Sequence, residues 1–202
     1  MSRPRILFAI ACLALAALVG AFTLLARPSG PHAVTSSGKA AVGGPFVLVD
    51  QNGQARNQEM LKGKWSAVFF GYTFCPDACP TTLQMLGAAE DQLGPKAKDF
   101  QVVLVTIDPA RDTAPVLKTY LSNQGFPKGA VALTGSAEQV ARAAKAYRVY
   151  YAKVGDGADD YLMDHSTAIY LMNPRGEFAK VIPEGVSPDQ AAEMIRRAMR
   201  EG

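Results

Sequence analysis

Two nearly uninterrupted apolar runs constrain the fold of this 202-residue chain more than any other feature. They are WSAVFFGYTF at residues 65–74 and QVVLVTI at residues 101–107, and both are rich in aromatic or β-branched side chains. A strand that alternates apolar and polar residues buries one face, whereas a continuous apolar strand is buried on both. Such strands form parallel sheets with helices on both sides. The two runs therefore predict an α/β fold.

Shorter patterns predict the elements around these two strands. PFVLVDQNGQ at residues 45–54 predicts a hairpin, because an Asn-Gly pair favours a tight turn. Capping residues and helical spacing predict four helices, at about Pro80–Leu93, from Asp112 or Thr113 to Asn123, from the Ser136 capping box to Tyr147, and at 187–200. Short apolar patterns predict five more strands, at 130–135, 148–154, 161–166, 167–172 and 177–183. Strand–helix units followed by hairpins are the order expected of a thioredoxin-like fold, with a mixed central sheet flanked by helices and an additional β-hairpin.

The first 44 residues differ from the rest of the chain in composition. Residues 6–26 are apolar and uncharged over a length that can cross a bilayer, so they predict a transmembrane anchor, or an uncleaved signal; a cleaved signal peptide is the alternative. Two arginines precede this run, so the positive-inside rule makes residues 1–5 a cytoplasmic tip. Residues 27–44 are rich in Gly, Ser and Pro and predict a flexible linker. We therefore expect a single-pass protein of a bacterial-type inner membrane, with the domain at residues 45–202 on the periplasmic side.

The charge distribution argues against one class of function. The formal net charge is +3, and three arginines in the first 27 residues account for all of it, since residues 1–33 contain no acidic side chain. The remainder has 18 basic and 18 acidic side chains and no evident basic patch for binding phosphates. We therefore expect no nucleic-acid partner.

Cys75 and Cys79 follow the first buried strand and are separated by three residues. Proline is tolerated in the first turn of a helix, so Pro80 predicts that Cys79 lies at a helix start and Cys75 in the turn before it. Unpaired amides at a helix start favour a thiolate. The residues leave three roles open: a structural disulfide, a redox pair, or two soft ligands of an ion such as Cu(I) or zinc. The usual redox spacing is C-x-x-C, and a metal would need a third donor.

The chain contains only two histidines that could supply that donor. His32 lies in the predicted linker and is expected to be solvated. His165 lies in YLMDHSTAIYLM, just before an apolar strand. On its own, such a histidine indicates a solvated or hydrogen-bonded residue.

Three motifs together resemble the Sco/SenC copper-binding proteins. They are CPDACP at 75–80, TIDPARDT at 106–113 and DHSTAIYLMNPRG at 164–176, and the resemblance extends over about residues 41–199. It implies a thioredoxin-like fold. A C-x-x-x-C pair alone would be a weak signal, whereas three motifs in this order are specific.

The same resemblance implies that Cys75, Cys79 and His165 bind one copper ion, as Cu(I) or Cu(II). It implies a metallochaperone, rather than an enzyme, that assists assembly of a copper site of cytochrome c oxidase. The expected partners are the copper-containing subunit of that oxidase and a copper-donating chaperone. We expect the protein to be monomeric and attached to the membrane through its N-terminal helix.

Three carboxylates lie close to these residues in the chain. Asp77 and Asp164 are interpreted as turn or surface carboxylates, with support of the metal ligands or steering of a cationic partner as the alternative. Asp108 precedes a proline, which indicates that it ends a strand and begins a turn. The resemblance places its region near the metal.

Four further side chains lie near these residues in the chain or could donate to a metal. Arg111 and Asp112 are expected to form a local ion pair or a helix cap. Met163 lies two residues from His165, on the same face of a strand, and is a candidate auxiliary thioether contact. Met85 has helical spacing with apolar neighbours and is expected to pack in the core.

Two enzymatic functions compete with copper delivery. A thiol–disulfide oxidoreductase that reduces cysteines of the oxidase copper site, or of another exported protein, would use Cys75 and Cys79 as its catalytic pair and would not need His165. A peroxidase of the peroxiredoxin type resembles T-x-x-C, but Tyr72 stands three residues before Cys75.

Overall fold

The computed structural model describes residues 42–155, 157 and 160–201. The strands in chain order are β1 (Val47–Asp50), β2 (Ala55–Asn57), β3 (Trp65–Gly71), β4 (Phe100–Thr106), β5 (Val131–Thr134), β6 (Tyr151–Val154), β7 (Leu162–His165), β8 (Ile169–Met172) and β9 (Phe178–Ile182). The α-helices are α1 (Ala78–Leu93), α2 (Ala114–Leu121), α3 (Ala137–Ala146) and α4 (Pro188–Glu201). Short 3-10 helices, which the sequence did not predict, occupy Gln58–Leu61 and Gly94–Asp99.

The larger sheet is mixed and has the strand order β2-β1-β5-β4-β3-β8-β9 within the described residues. β3, β4 and β5 are parallel, whereas β1 and β8 pair antiparallel to β5 and β3. Every residue of β3 is buried, as expected for a strand covered on both faces. The predicted mixed α/β sheet is therefore confirmed.

Two apolar cores cover the two faces of this sheet. Alternate residues of β3 point to opposite faces, so Phe69 belongs to one core and Phe70 to the other. The first core also contains Leu83 of α1 and Ile195 of α4. The second contains Val140 of α3. Helices therefore cover β3 on both faces, and Cys75 and Cys79 follow its carboxyl end.

Capping side chains begin two helices where the sequence predicted them. Ser136 accepts a hydrogen bond from the backbone of Gln139, whose side chain accepts one from the Ser136 amide, so the capping box of α3 is complete. Ser187 and Gln190 make the same reciprocal pair at α4. These caps satisfy amides that have no partner within the helix.

Two helices differ from the predicted bounds. α1 begins at Ala78 rather than Pro80, because the first turn of a helix leaves its amides unpaired and tolerates a proline at the third helical position. Cys79 therefore lies within the first turn. α2 covers Ala114–Leu121 with Thr113, one of the two predicted starts, as its N-cap, and it ends two residues before the predicted Asn123.

The hairpin of β6 and β7 forms a small sheet of its own. Its antiparallel register pairs Tyr151 with His165 and Val154 with Leu162. This is the hairpin predicted from residues 148–154 and 161–166, and His165 is the last residue of its second strand. Because its two strands pair only with each other among the described strands, the position of His165 depends on contacts other than the main sheet ladder.

The predicted N-terminal segments lie almost wholly outside the described residues. This holds for the tip (1–5), the anchor (6–26) and all but the last three residues of the linker (27–44). None of the helices in the described part of the chain is both long and apolar enough to cross a membrane. The anchor, the linker and the localisation stay predictions.

Candidate metal centre

The structure brings Cys75, Cys79 and His165 together at the carboxyl end of β3. Their ligand atoms, two sulfurs and one ring nitrogen, all lie within 4.8 Å of one another. Cys75 lies in the turn after β3, Cys79 in the first turn of α1, and His165 at the end of β7. A strand–turn–helix unit thus supplies the two sulfurs, and a separate hairpin supplies the nitrogen.

A glycine at the end of β3 makes room for one of the sulfurs. A Cβ atom added at Gly71 would lie 2.7 Å from Cys79 Sγ, which is closer than real Cβ contacts allow. The Gly71 backbone is itself fixed, because its carbonyl accepts a hydrogen bond of 2.9 Å from the Ile107 amide. Glycine at this position therefore lets the Cys79 sulfur lie directly against the end of the strand.

A backbone contact orients the imidazole of His165. Its Nδ1 lies 2.9 Å from the carbonyl oxygen of Ser166. Because a carbonyl oxygen only accepts, Nδ1 is the donor, and the lone pair of the neutral ring is on Nε2. Nε2 lies 3.8 Å from Cys79 Sγ. The nitrogen that can bind a metal therefore faces the sulfurs. The ring of Tyr72 meets the imidazole edge-on, with centroids 6.0 Å apart.

The two cysteines have opposite acidities. A hydrogen bond from the Cys79 side chain, together with those from His165 and from the Cys79 amide at 3.3 Å, lowers the pKa of Cys75 to about 4. The same bond to Cys75, and burial, raise the pKa of Cys79 far above its ordinary value. Cys79 is 2% exposed, whereas Cys75 is half-buried. The pair therefore holds one thiolate, at Cys75, and one proton, at Cys79.

The Cys75 thiolate also shifts the pKa of the His165 imidazole. Burial lowers the pKa of His165, but contact with the Cys75 thiolate, the Ser166 carbonyl and the nearby Asp164 outweigh it, so the net shift is upward. The Cys75 thiolate therefore favours the protonated form of His165 more than solvent would in the metal-free protein.

Comparison with known proteins identifies the family of this chain. The SCO1/SenC family model matches residues 34–200. The chain belongs to the SCO1/SenC family. Among curated SCO relatives, the mitochondrial SCO1 homolog 1 of Arabidopsis thaliana is 38% identical over 167 residues, which are 82% of this chain and 49% of that protein. The mitochondrial SCO2 homolog of Homo sapiens is 42% identical over 165 residues, 80% of this chain and 61% of that protein.

Solved SCO1/SenC structures have the same fold. ScoI of Bradyrhizobium japonicum with copper bound aligns with a TM-score of 0.72 and 40% identity, over 78% of this chain and 99% of that one. ScoI of Arabidopsis thaliana with copper bound aligns with a TM-score of 0.75 and 36% identity, over 80% and 100%. The chain spans about half to three fifths of the first curated SCO relatives that it matches, so it shares one domain with proteins that are longer.

The carboxylates weighed from the sequence of this SCO1/SenC chain occupy different environments. Asp77 is exposed, is the N-cap residue of α1 and accepts a hydrogen bond from Thr81. Asp164 is exposed on β7. Asp108 is buried and accepts a hydrogen bond of 2.8 Å from the hydroxyl of Tyr161, on the hairpin. Of the three carboxylates, only Asp108 is thus linked through buried contacts to the hairpin that bears His165.

The expected pairing of Arg111 with Asp112 is wrong. Arg111 forms its ion pair with Asp108 instead. Asp112 is fully buried and accepts hydrogen bonds from the hydroxyls of Thr73 and Thr106, at 2.5 and 2.6 Å. Thr73 follows β3 and Thr106 ends β4, so Asp112 ties the ends of these two strands together. The sequence gives no sign of this pairing.

The methionines and one tyrosine complete the surroundings of the SCO1/SenC site. Met85 is partly buried against the first core, as predicted. Met163 is partly buried against the second core, which includes Cys79, and its amide donates a hydrogen bond of 3.2 Å to the hydroxyl of Tyr72. In the sequence, Tyr72 bears only on peroxidase chemistry, because it stands where a peroxiredoxin has threonine. Its contacts with Met163 and His165 make it a support of β7, which no spacing in the sequence indicates.

Proposed function

We propose that this chain is a membrane-tethered copper chaperone that binds one copper ion through Cys75 Sγ, Cys79 Sγ and His165 Nε2. The observation that carries the proposal is the convergence of these three atoms within 4.8 Å in a SCO1/SenC chain. Two sulfurs and one imidazole suit Cu(I), which prefers soft donors, and Cu(II) can add an oxygen ligand. The copper-bound ScoI relatives support the choice of metal.

The electrostatics of the dithiol fit a site that both takes and releases copper. Cys75 is already a thiolate, so it offers a ligand without losing a proton. Cys79 gives up its proton as the metal arrives, which couples binding to proton release. Conversely, oxidation of the two cysteines to a disulfide removes both sulfur donors, so thiol redox state controls metal retention.

The destination of the copper follows from the Sco/SenC resemblance. We infer that the chain assists assembly of a copper site of cytochrome c oxidase, receives copper from a donating chaperone and acts as a monomer. The apolar run at 6–26 supports a single-pass anchor, with the domain on the periplasmic face of a bacterial-type inner membrane. An anchored domain meets membrane-bound partners at high effective concentration.

The experiment that tests the proposal replaces each histidine of the chain in turn. The reduced 202-residue protein is loaded with Cu(I), and metal analysis and copper K-edge absorption report stoichiometry and the sulfur and nitrogen ligands. The parent and the His32→Ala control are expected to hold one copper with two sulfurs and one nitrogen. His165→Ala is expected to lose the nitrogen and to bind at least about tenfold more weakly. Copper binding in His165→Ala equal to the parent would refute the three-ligand site.

Thiol–disulfide exchange is a second candidate, and one observation favours it. The partly exposed sulfur of Cys75 accepts a hydrogen bond from the Cys79 amide, whereas the side chain of Cys79 is buried. This difference is typical of a pair in which one cysteine attacks the target and the other resolves the mixed disulfide. Cys75 would attack a target disulfide and release one target thiolate. Cys79, once it loses its proton, would then attack the Cys75 sulfur of the mixed disulfide, which releases the second target thiolate and leaves a Cys75–Cys79 disulfide for an external dithiol to reduce.

Genetic complementation separates the two candidates. The reductase needs both cysteines and not His165, whereas the chaperone needs all three. If His165→Ala restores oxidase assembly in cells that lack this chain, the reductase is favoured. If His165→Ala fails and His32→Ala succeeds, the chaperone is favoured.

A further inference from the structure

The hairpin that bears His165 is held to the rest of the molecule by side chains. β6 and β7 make up a sheet separate from the main one among the described strands. One anchor is the hydrogen bond of 3.2 Å from the Met163 amide to the hydroxyl of Tyr72, which follows β3. A denser set of contacts surrounds Tyr161, the residue just before β7.

Tyr161 is contacted in three ways by the loop that follows β4. Its hydroxyl donates a hydrogen bond of 2.8 Å to Asp108 Oδ1. Its carbonyl oxygen accepts one of 3.0 Å from Arg111 Nη1. The guanidinium carbon of Arg111 lies 3.6 Å from the centre of its ring. Both the backbone and the side chain of Tyr161 are therefore held by two residues of one loop.

Arg111 also reaches the other half of the ligand set. Its guanidinium lies 4.5 Å from the ring centre of Phe74, which directly precedes Cys75. It forms an ion pair with Asp108, and the two side chains are 14% and 4% exposed. One largely buried cation, Arg111, thus touches the residue next to a sulfur donor and a residue four positions before the nitrogen donor.

We propose that Arg111, Asp108 and Tyr161 form a latch that positions His165 against the two cysteines. The latch deepens the proposed function and rests on it, since it names the groups that keep the nitrogen within reach of the sulfurs. None of the three is among the converging ligand atoms, so each is a positioning residue. The planar guanidinium donates in a fixed fork and stacks on aromatic rings at the same time, which an ammonium does not do.

The matched test uses two substitutions of Arg111 and one distant control. Arg111→Ala removes every latch contact of this side chain. Arg111→Lys keeps the charge beside the buried Asp108 and protects the fold, but loses the ring stacking and the fork. The control, Arg56→Ala, breaks another ion pair of an arginine Nε with a buried aspartate, Asp50, at 2.8 Å in the β1–β2 hairpin. A general loss of stability would affect all three variants, whereas loss of the latch would affect only the Arg111 variants.

The decisive readout is made on the copper-free 202-residue chain. In the parent, the edge-on contact of Tyr72 and His165 gives cross-peaks between the two rings in nuclear Overhauser spectra. Arg111→Lys and Arg111→Ala are expected to lose these cross-peaks, with amide exchange in β7 at least about tenfold faster than in the parent. Arg56→Ala is expected to keep both features. Retention of the ring cross-peaks and of β7 protection in Arg111→Lys would overturn the latch.

Copper K-edge absorption provides an independent second readout. The Arg111→Lys protein loaded with Cu(I) is expected to show two sulfur ligands and a weakened or missing nitrogen, whereas Arg56→Ala is expected to match the parent. An intact nitrogen ligand in Arg111→Lys would also count against the latch. If the parent binds no copper, the proposed function fails, while the measurements on the copper-free protein still decide for or against the latch.

Discussion

Replacement of Gly71 by alanine should impair metal binding without disrupting the fold. The added methyl carbon would lie 2.7 Å from Cys79 Sγ, whereas non-bonded heavy atoms prefer about 3.5–4.0 Å. The backbone cannot retreat easily, because Gly71 is in register with Thr106 on β4 and its carbonyl is bonded to the Ile107 amide. The sulfur must therefore move by about 1 Å.

The size of the effect depends on where the sulfur is required. In the copper-free protein, the Cys79 side chain can rotate away from the new methyl group, so the cost to folding is small. In the loaded protein, the sulfur must return to the metal and meet the clash. Overpacking of this kind costs about 1–3 kcal/mol. Since 1.4 kcal/mol corresponds to a factor of ten, the affinity for Cu(I) should fall by roughly tenfold to a hundredfold.

The assay is an anaerobic competition for Cu(I) between the protein and a chromogenic chelator, with thermal unfolding of the copper-free protein measured in parallel. Gly135→Ala is the matched control, because its Cβ would lie 2.8 Å from Gln139 Oε1 and touch no cysteine among its nearest atoms. Gly135→Ala should lower stability but leave the affinity for Cu(I) unchanged. An unchanged affinity in Gly71→Ala would show that Cys79 does not bind the metal from the position seen here.

Three further predictions concern other parts of the molecule. At pH 6, iodoacetamide should modify Cys75 much faster than Cys79, because Cys75 is partly exposed with a pKa of about 4 and Cys79 is 2% exposed. Mass spectrometry of the digested protein measures the two rates of modification. Equal rates would contradict the assignment of the thiolate to Cys75. Burial raises the pKa of Glu90 in the folded state, so this carboxyl stabilises the fold most below its unfolded pKa and loses that contribution as pH rises through the folded pKa. Glu90→Gln, which keeps an acceptor for the Lys128 amide, should therefore be more stable than the parent at pH 7 and equal to it near pH 4 in urea unfolding. Ser136→Ala should cost about 1 kcal/mol in the same assay, because it removes half of the α3 capping box, and no loss would mean that the cap is redundant.

Local patterns were enough to predict most of the fold. The continuous apolar runs marked β3 and β4, because burial on both faces leaves no polar alternation. The Ser136 box marked the start of α3, because it satisfies amides that every helix start leaves open. The position of Pro80 misplaced the start of α1 by two residues, since the whole first turn accepts a proline. An error of two residues arises here because proline is tolerated at any position of the first helical turn.

The surroundings of the site could not be read from spacing in the same way. Arg111 has two aspartates within three residues, and only the three-dimensional position of Tyr161 decides that it pairs with Asp108. Gly71 gives no more signal than any glycine at a strand end, because its role depends on a sulfur eight residues away. The convergence of His165 with the cysteines entered through the family resemblance, since a lone histidine on a hairpin does not identify its neighbours.

The donors differ in how firmly the fold holds them, and this difference bears on copper exchange. Cys75 and Cys79 follow β3 and are carried by a unit that two apolar cores fix, so the backbone that bears them changes little without unfolding. His165 belongs to a hairpin outside the main sheet, held by side-chain contacts that can open while the cores stay packed. Local opening costs less than global unfolding, so the nitrogen is the donor that can leave first. A site built in this way can keep copper on two sulfurs while an incoming ligand takes the place of the imidazole.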